Sequence, residues 1–191
     1  MRISKKLFCL LIIVLSAVAC SDANLSKGDY EASVEYSIVD GVIILEEPER
    51  QAGQQSMLEF RAEPLDTVRV GFVGLGMRGP GAVERFTYID GVAINGLCDK
   101  YLERAERCQA YLDRAGMPRA KVYSGDEGYK LLCESDDIDL VYIATPWQLH
   151  VDVAVYAMVH GKHVAIDVPS ANTVEECWQL VDAAERNRVH C

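Results

Sequence analysis

An α/β fold, a Rossmann-type doubly wound parallel sheet of strand order 3-2-1-4-5 over residues 67–191, follows from three observations. Short apolar runs alternate with segments of helical period from Thr67 onward. A glycine loop, Gly74-Leu75-Gly76-Met77-Arg78-Gly79, joins the first run to the first helix. A carboxylate, Asp99, ends the second run, 20 residues after Gly79.

The expected strands are Val68 to Val73, Ala93 to Cys98, Lys121 to Tyr123, Leu140 to Ala144 and His163 to Asp167. Ala82, Val83 and Phe86 belong to the helix that the glycine loop opens. Leu102, Ala105, Cys108 and Leu112 mark a second helix, closed by Gly116 and Pro118. Val151, Ala154, Val155 and Met158 fall at i, i+3, i+4 and i+7, which predicts one apolar face on a helix that Gly161 ends. Val174, Cys177, Trp178 and Val181 repeat the pattern behind Thr173 and Glu176, which have capping-box spacing. Right-handed crossovers in such a sheet put the ligand crevice beside the first strand, at the carboxyl ends of the strands.

The residues before Thr67 divide in two. Arg2, Lys5 and Lys6 precede an apolar stretch from Leu7 to Ala19 that ends in small residues, the pattern of a secretory signal peptide over residues 1–19. The stretch is shorter than the roughly 20 residues a membrane span needs. Ser16-Ala17-Val18-Ala19-Cys20 resembles a loose bacterial lipobox with Ala17 where leucine is usual, so Cys20 is the expected lipidation site. The protein is then expected to be exported, as a periplasmic or outer-membrane lipoprotein of a Gram-negative bacterium held to the membrane by its lipid anchor only. Cleavage before Cys20 without lipidation is the alternative. Residues 20–66 read as a polar tether and an irregular extension, with one β-like alternation from Tyr36 to Leu45 that turns at Asp40-Gly41.

Removing Arg2, Lys5 and Lys6 with the leader takes the formal net charge from −10 to −13. That acidity argues against a nucleic-acid partner, against tight binding to an anionic bilayer and against a polyanionic substrate. Five cysteines remain after Cys9 and Cys20, an odd number with no CxxC spacing, and four sit at apolar positions of expected elements. No disulfide framework and no zinc site is expected, with a single bridge left open for an exported protein. His160, His163 and His190 have no ligand spacing, and Asp136, Asp137 and Asp139 are expected in solvent.

The chemistry-bearing residues cluster at the expected crevice. Gly74 permits the tight turn, Gly76 lets backbone approach a pyrophosphate, Gly79 lets helix and strand pack closely, and the helix N-terminus attracts phosphate. Asp99 is placed to accept hydrogen bonds from an adenosine ribose and to repel a 2′-phosphate, which favours NAD over NADP. Helix capping is its other reading. Arg78 and Lys100 are cations near the cofactor's path and leave some tolerance of NADP open. Thr145-Pro146-Trp147-Gln148-Leu149-His150 leaves the fourth strand at the same edge, where Trp147 could cover a ring or ribose and Gln148 and His150 could hydrogen-bond to it, or serve packing alone. Asp167-Val168-Pro169 ends the fifth strand there, with Asp167 facing the nicotinamide end or capping the strand.

The run Val70 to Phe86, with Asp99, Trp147 to His150 and Asp167-Val168-Pro169, resembles the Gfo/Idh/MocA oxidoreductases, and within them the NAD-dependent α-N-acetylgalactosaminidases of glycoside hydrolase family 109. The resemblance covers about residues 54–191. It implies that Met77, Arg78, Asp99, Trp147, Gln148, Leu149, His150, Asp167 and Val168 line an NAD site. Sugar dehydrogenases of the broader family usually carry Glu-Lys-Pro at the last turn, with lysine near the reacting hydroxyl. Val168 stands in that position here, as in the glycosidase branch, and Asp167 stands where both branches carry glutamate.

The implied activity is hydrolysis of a small sugar or glycan substrate by redox-assisted elimination and hydration, with NAD recycled. A sugar or polyol oxidoreductase and a non-catalytic NAD-binding module remain open. By the same resemblance, the chain stops where the family's sixth strand would begin and lacks the C-terminal substrate domain, so no catalytic residue is assigned. Residues 1–191 alone are expected not to turn over substrate. The sheet edge left open invites pairing with another chain, a homo-oligomer included.

Overall fold

A computed structural model describes residues 36–45, 49–50 and 52–191. The leader and Cys20 lie outside the described residues. The chain divides into two compact units, Met1–Glu49 and Arg50–Cys191.

In the first unit, strands β1 (Tyr36–Val39) and β2 (Val42–Leu45) pair antiparallel, with Val39 opposite Val42. Asp40 and Gly41 both take positive φ, 51° and 80°, the two-residue turn whose twist matches a hairpin.

The second unit holds five parallel strands: β3 (Val68–Val73), β4 (Val92–Asp99), β5 (Lys121–Ser124), β6 (Leu140–Ile143) and β7 (His163–Ile166). They run in the order β5-β4-β3-β6-β7. The helices are α1 (Gly79–Phe86), α2 (Leu102–Ala115), α3 (Gly128–Cys133), α4 (His150–Val159) and α5 (Val174–Asn187). The side-chain period of two divides each strand between two cores. Val70, Phe72 and Leu97 pack with Ala82 and Val83 of α1 and with Ala105, Cys108 and Leu112 of α2. Val73, Val141 and Ile143 pack with α3, α4 and α5 on the other face.

Helix α3 was not anticipated from the periodicity, because six residues show too little of it. Its place is prepared by two strand glycines. A Cβ on Gly71 would stand 2.7 Å from Leu132 Cδ2, and one on Gly96 3.0 Å from Leu132 Cδ1, so the bare backbone lets Leu132 sit on the sheet.

Three expectations are corrected. Helix α4 buries Val153 and Ala157 together with Val151, Ala154 and Met158, while Val155 is only partly buried, because α4 is enclosed by the sheet, α3 and α5. On α5 the stripe of Val174, Cys177 and Val181 is exposed, and Leu180, Ala183, Ala184 and Glu185 face inward instead. The small alanines allow α5 to approach α4 closely, a signal that apolar periodicity does not carry. Asp139 is not a solvated loop charge: its side chain is 15 % exposed and takes Arg69 Nε at 2.9 Å and Nη2 at 2.5 Å, and it also accepts the Arg69 backbone N–H at 2.8 Å. Those bonds hold its carboxyl below the usual range and fix the start of β3 to the start of β6. The Thr173–Glu176 capping box forms as expected, as does the left-handed Gly116 that closes α2.

Arg50 and residues 52–60 lie along α5 without regular structure. Arg50 Nε meets both carboxylate oxygens of buried Glu185 at 3.0 Å, Gln54 donates to Asp182 at 2.8 Å, and Arg188 donates to the carbonyls of Gln55 and Ser56.

At the outer edge of β7, Val164 N–H donates to the His190 carbonyl at 2.9 Å, and His190 N–H donates to His163 Nδ1 at 2.8 Å. Burial, and then the neighbouring His190 ring, hold His163 below the ordinary imidazole range, with Asp139 opposing. A group with a depressed folded pKa contributes stability in full above its unfolded value, about 6.5, and loses it as pH falls toward the folded value. A protonated Nδ1 also cannot accept the His190 N–H. Acidifying from about pH 7.5 to about pH 5.5 is therefore expected to lower the protection of the His190 amide, measured against its intrinsic exchange rate at each pH, ahead of that of the β3 and β4 amides. A His163→Gln chain should lose that pH step.

Candidate functional site

The carboxyl ends of β3, β4, β6 and β7 open on one cleft of about 1070 Å³. Each wall is set by local geometry. At the end of β3, Gly74 has φ +93°, and a Cβ there would meet the backbone of Ala144 and Thr145 at 2.6 Å. Its N–H continues the ladder to the Cys98 carbonyl at 2.9 Å. Gly79 starts α1, and a Cβ on it would lie 1.9 Å from the Gly74 carbonyl oxygen. Glycine is required at both positions because main chain meets main chain. Gly76 differs, since a Cβ there would find only Arg104 Nη1, at 3.5 Å. The space over Gly76 belongs to the cleft.

Helix α1 has no capping side chain and no acidic residue in its first turn. Its N-terminal amides and dipole are thus left for an anion.

Asp99, 6 % exposed, is held at the end of β4. Its Oδ2 accepts the Leu75 N–H at 2.7 Å and its Oδ1 accepts the Tyr101 N–H at 3.0 Å. It ties the glycine loop to the start of α2 while still lining the cleft. Tyr101, not Asp99, is the N-cap residue of α2. Behind it the thiol of Cys98 is pushed up to about 12 by burial and, secondarily, by Asp99, so it is no nucleophile.

From β6, Trp147 and Gln148 stand at the opening on a short 3₁₀ turn, Trp147-Gln148-Leu149, with Trp147 57 % exposed. His150 lines the cleft, yet its Nδ1 lies 2.7 Å from the Pro169 carbonyl and its Nε2 2.9 Å from the Thr145 carbonyl. Both ring nitrogens thus face main chain, and the ring joins the loops after β6 and β7 instead of presenting a polar atom to the opening. Thr145 Oγ1 is buried without a hydrogen-bond partner among the described residues, and Thr145 lines the cleft. From β7, Asp167 and Val168 complete the wall, and Arg78 reaches across from the glycine loop to place Nε 3.3 Å from Asp167 Oδ2.

Of the residues singled out from sequence, Gly74, Gly76, Met77, Arg78, Asp99, Trp147, Gln148, His150, Asp167 and Val168 converge on this cleft. Gly79 is buried beneath it, and Leu149 does not line it. Lys100 also turns away, donating to Asp126 at 2.8 Å. Sequence reasoning placed Thr145 at this edge without giving it a role, and missed Arg104 and Arg107. The two arginines sit on α2, and their i, i+3 spacing after Asp99 was the available signal. Among the described residues no group of three His, Cys, Asp or Glu side chains could hold a metal ion, and no helix is long and apolar enough to cross a membrane.

The donor set fits a dinucleotide. The uncapped helix end suits a pyrophosphate, Asp99 suits a ribose diol, and the orphaned Thr145 hydroxyl awaits a polar partner. Residues 68–191 match the Gfo/Idh/MocA family, an oxidoreductase family with an NAD-binding Rossmann fold. A glycosyl hydrolase family 109 protein of Phocaeicola vulgatus is 49 % identical over 98 % of this chain and 37 % of its own length. One from Bacteroides thetaiotaomicron is 49 % identical over 98 % of this chain and 38 % of its own. The chain thus spans little more than a third of these relatives. Among solved structures, an NAD-binding protein from Listeria innocua is 28 % identical with a TM-score of 0.55, covering 65 % of this chain and 34 % of that one. The myo-inositol dehydrogenase of Lactobacillus casei, in complex with NAD(H) and myo-inositol, is 27 % identical with a TM-score of 0.53, covering 61 % and 33 %. The chain belongs to the Gfo/Idh/MocA oxidoreductase family, and residues 68–191 are its NAD-binding Rossmann fold.

Proposed function

We propose that this chain is the NAD-binding part of an exported NAD-dependent glycosidase acting on α-N-acetylgalactosaminides. The observation that carries the reading is Val168. It stands 81 % exposed on the cleft wall at the end of β7, where lysine would be expected beside the hydroxyl of a sugar being simply oxidised. An apolar residue there matches the pattern of the glycosidase branch and not the lysine of the sugar dehydrogenases; the proton that leaves the sugar hydroxyl during its oxidation, transient or net, needs another acceptor. The family 109 names of the relatives support the same choice.

NAD, when bound, supplies a reversible hydride acceptor. The protein's own residues do the rest. The Gly76 backbone and the α1 N-terminus hold the pyrophosphate, Asp99 takes the adenosine ribose, and Thr145 Oγ1 is available to the nicotinamide half. Arg78, braced by Asp167, and Trp147 flank the nicotinamide end, where Met77 at 92 % exposure adds apolar surface to exclude water.

The test uses the protein at the length of its curated relatives. An aryl α-N-acetylgalactosaminide should release its aryl group with no lasting rise in NADH absorbance at about 340 nm. Stoichiometric NADH without aryl release would make it a sugar oxidoreductase. NAD binding with neither would make it a non-catalytic module. We also propose the lipid anchor, which predicts that Cys20→Ser moves the protein from the membrane fraction to the soluble exported fraction.

A further inference from the structure

We propose that His150 is a doubly protonated clamp, an imidazolium that ties the loop after β6 to the loop after β7 and so positions the wall of the cleft that meets the nicotinamide half of the dinucleotide. The inference rests on the dinucleotide reading of the cleft.

His150 is 1 % exposed, so its hydrogen bonding is completed by protein. Nδ1 lies 2.7 Å from the Pro169 carbonyl oxygen, and Nε2 lies 2.9 Å from the Thr145 carbonyl oxygen. A carbonyl oxygen only accepts, so each contact needs a hydrogen on the ring nitrogen. A neutral imidazole carries one such hydrogen, and an imidazolium carries two. In either neutral tautomer a bare nitrogen lone pair would face an oxygen lone pair at one of these distances, with both groups out of water. Two effects oppose the charge. Burial withdraws the ring from solvent, and His150 is the first residue of α4, where the helix dipole disfavours a cation. The first is countered by two short bonds to carbonyl dipoles, which share the charge between both nitrogens. The second is countered by Asp152 in the same first turn. The neutral ring has no such compensation, because the unmade bond keeps the desolvation cost of both its groups.

The clamp acts through its two acceptors. Thr145 lines the cleft, and its Oγ1 is buried without a hydrogen-bond partner among the described residues. Pinning the Thr145 carbonyl holds that hydroxyl in the wall. Pro169 directly follows Asp167 and Val168, which line the cleft from β7, and Asp167 in turn meets Arg78 Nε at 3.3 Å. One charged ring thus fixes both loops at the nicotinamide end. His150 is a positioning residue, since its two nitrogens are spent on main chain and none is left for the ligand.

Nuclear magnetic resonance of the chain with isotope-labelled histidine rings, at about pH 7.5, tests this. The chain holds 4 histidines. The His150 signals are those lost in His150→Gln or, should that variant not fold, those left after His160→Gln, His163→Gln and His190→Gln have assigned the others. Both ring nitrogens of His150 should carry a hydrogen, with and without NAD. Calorimetric titration with NAD supplies the second readout. The single amide nitrogen of His150→Gln cannot serve both carbonyls, and NAD should bind about tenfold or more weakly. His160→Gln, outside the cleft, is the control and should bind NAD within about twofold of wild type. One protonated and one bare nitrogen in a chain that binds NAD overturns the proposal alone. So does unchanged NAD affinity in a His150→Gln chain that circular dichroism shows to be folded. Failure of the wild-type chain to bind NAD overturns the cleft reading, and with it the role of the clamp.

Discussion

A Gly79→Ala chain is expected to lose both its stability and its dinucleotide binding, whereas a Gly76→Ala chain should lose binding alone. The added methyl at residue 79 would lie 1.9 Å from the Gly74 carbonyl oxygen, far inside contact distance. That carbonyl cannot yield. Gly74 is fixed by its bond to the Cys98 carbonyl and by the Ala144 and Thr145 backbone beneath it. Relief requires α1 to shift away from Leu75, which is fully buried in one of the two cores. A loss of about 4 kcal/mol or more is expected, enough to unfold a domain of ordinary stability. At residue 76 the methyl meets only Arg104 Nη1, at 3.5 Å, so stability should change by less than about 1 kcal/mol. The methyl would fill the space a pyrophosphate needs, and NAD affinity should fall by at least about tenfold. Thermal melts with and without NAD separate the two variants. Equal stability loss in both would remove the distinction drawn between a packing glycine and a binding glycine.

The second large effect is expected at Asp99. Removing its carboxylate in Asp99→Ala leaves the Leu75 N–H buried without a partner and frees the Tyr101 N–H at the start of α2. Hydrogen bonds to a charged acceptor contribute about 1.5–3 kcal/mol, and Tyr101 is exposed enough for water to replace one of them. A loss of about 3 kcal/mol, or a fall of roughly 10 °C in Tm, is expected. Asp99→Asn should recover only part of it. Its amide oxygen accepts one N–H, and its amide nitrogen presents a donor to the other. Full recovery with Asn would show that charge and the second acceptor are irrelevant here. NAD binding should fall in both variants, because the same carboxylate lines the cleft.

That double duty shows why Asp99 was legible. Its place at a strand end, a fixed distance beyond the glycine loop, is local information, and local information is what a sequence displays. The five strands, the hairpin turn at Asp40-Gly41, the Gly116 stop and the Thr173–Glu176 capping box were readable for the same reason. Helix α3 was less so. Its only clue lay elsewhere in the chain, in Gly71 and Gly96 of the strands it covers.

By itself, then, the sequence determined the alternation of strands and helices, the turn chemistry of the glycine loop and the residue types at the strand ends. These depend on backbone sterics and hydrophobic period over a few neighbouring residues. Only the tertiary structure decided which stripe of α5 faces inward, because Ala183 and Ala184 carry little hydrophobic signal and are selected by how closely α4 approaches. It also decided that the His150 nitrogens face two carbonyls from different loops, and that Asp139 closes on Arg69, 70 positions before it. The cleft's cations came last. Arg104 and Arg107 reach the dinucleotide cleft because α2 lies beside the glycine loop, and that adjacency exists only once the sheet has brought β3 and β4 together.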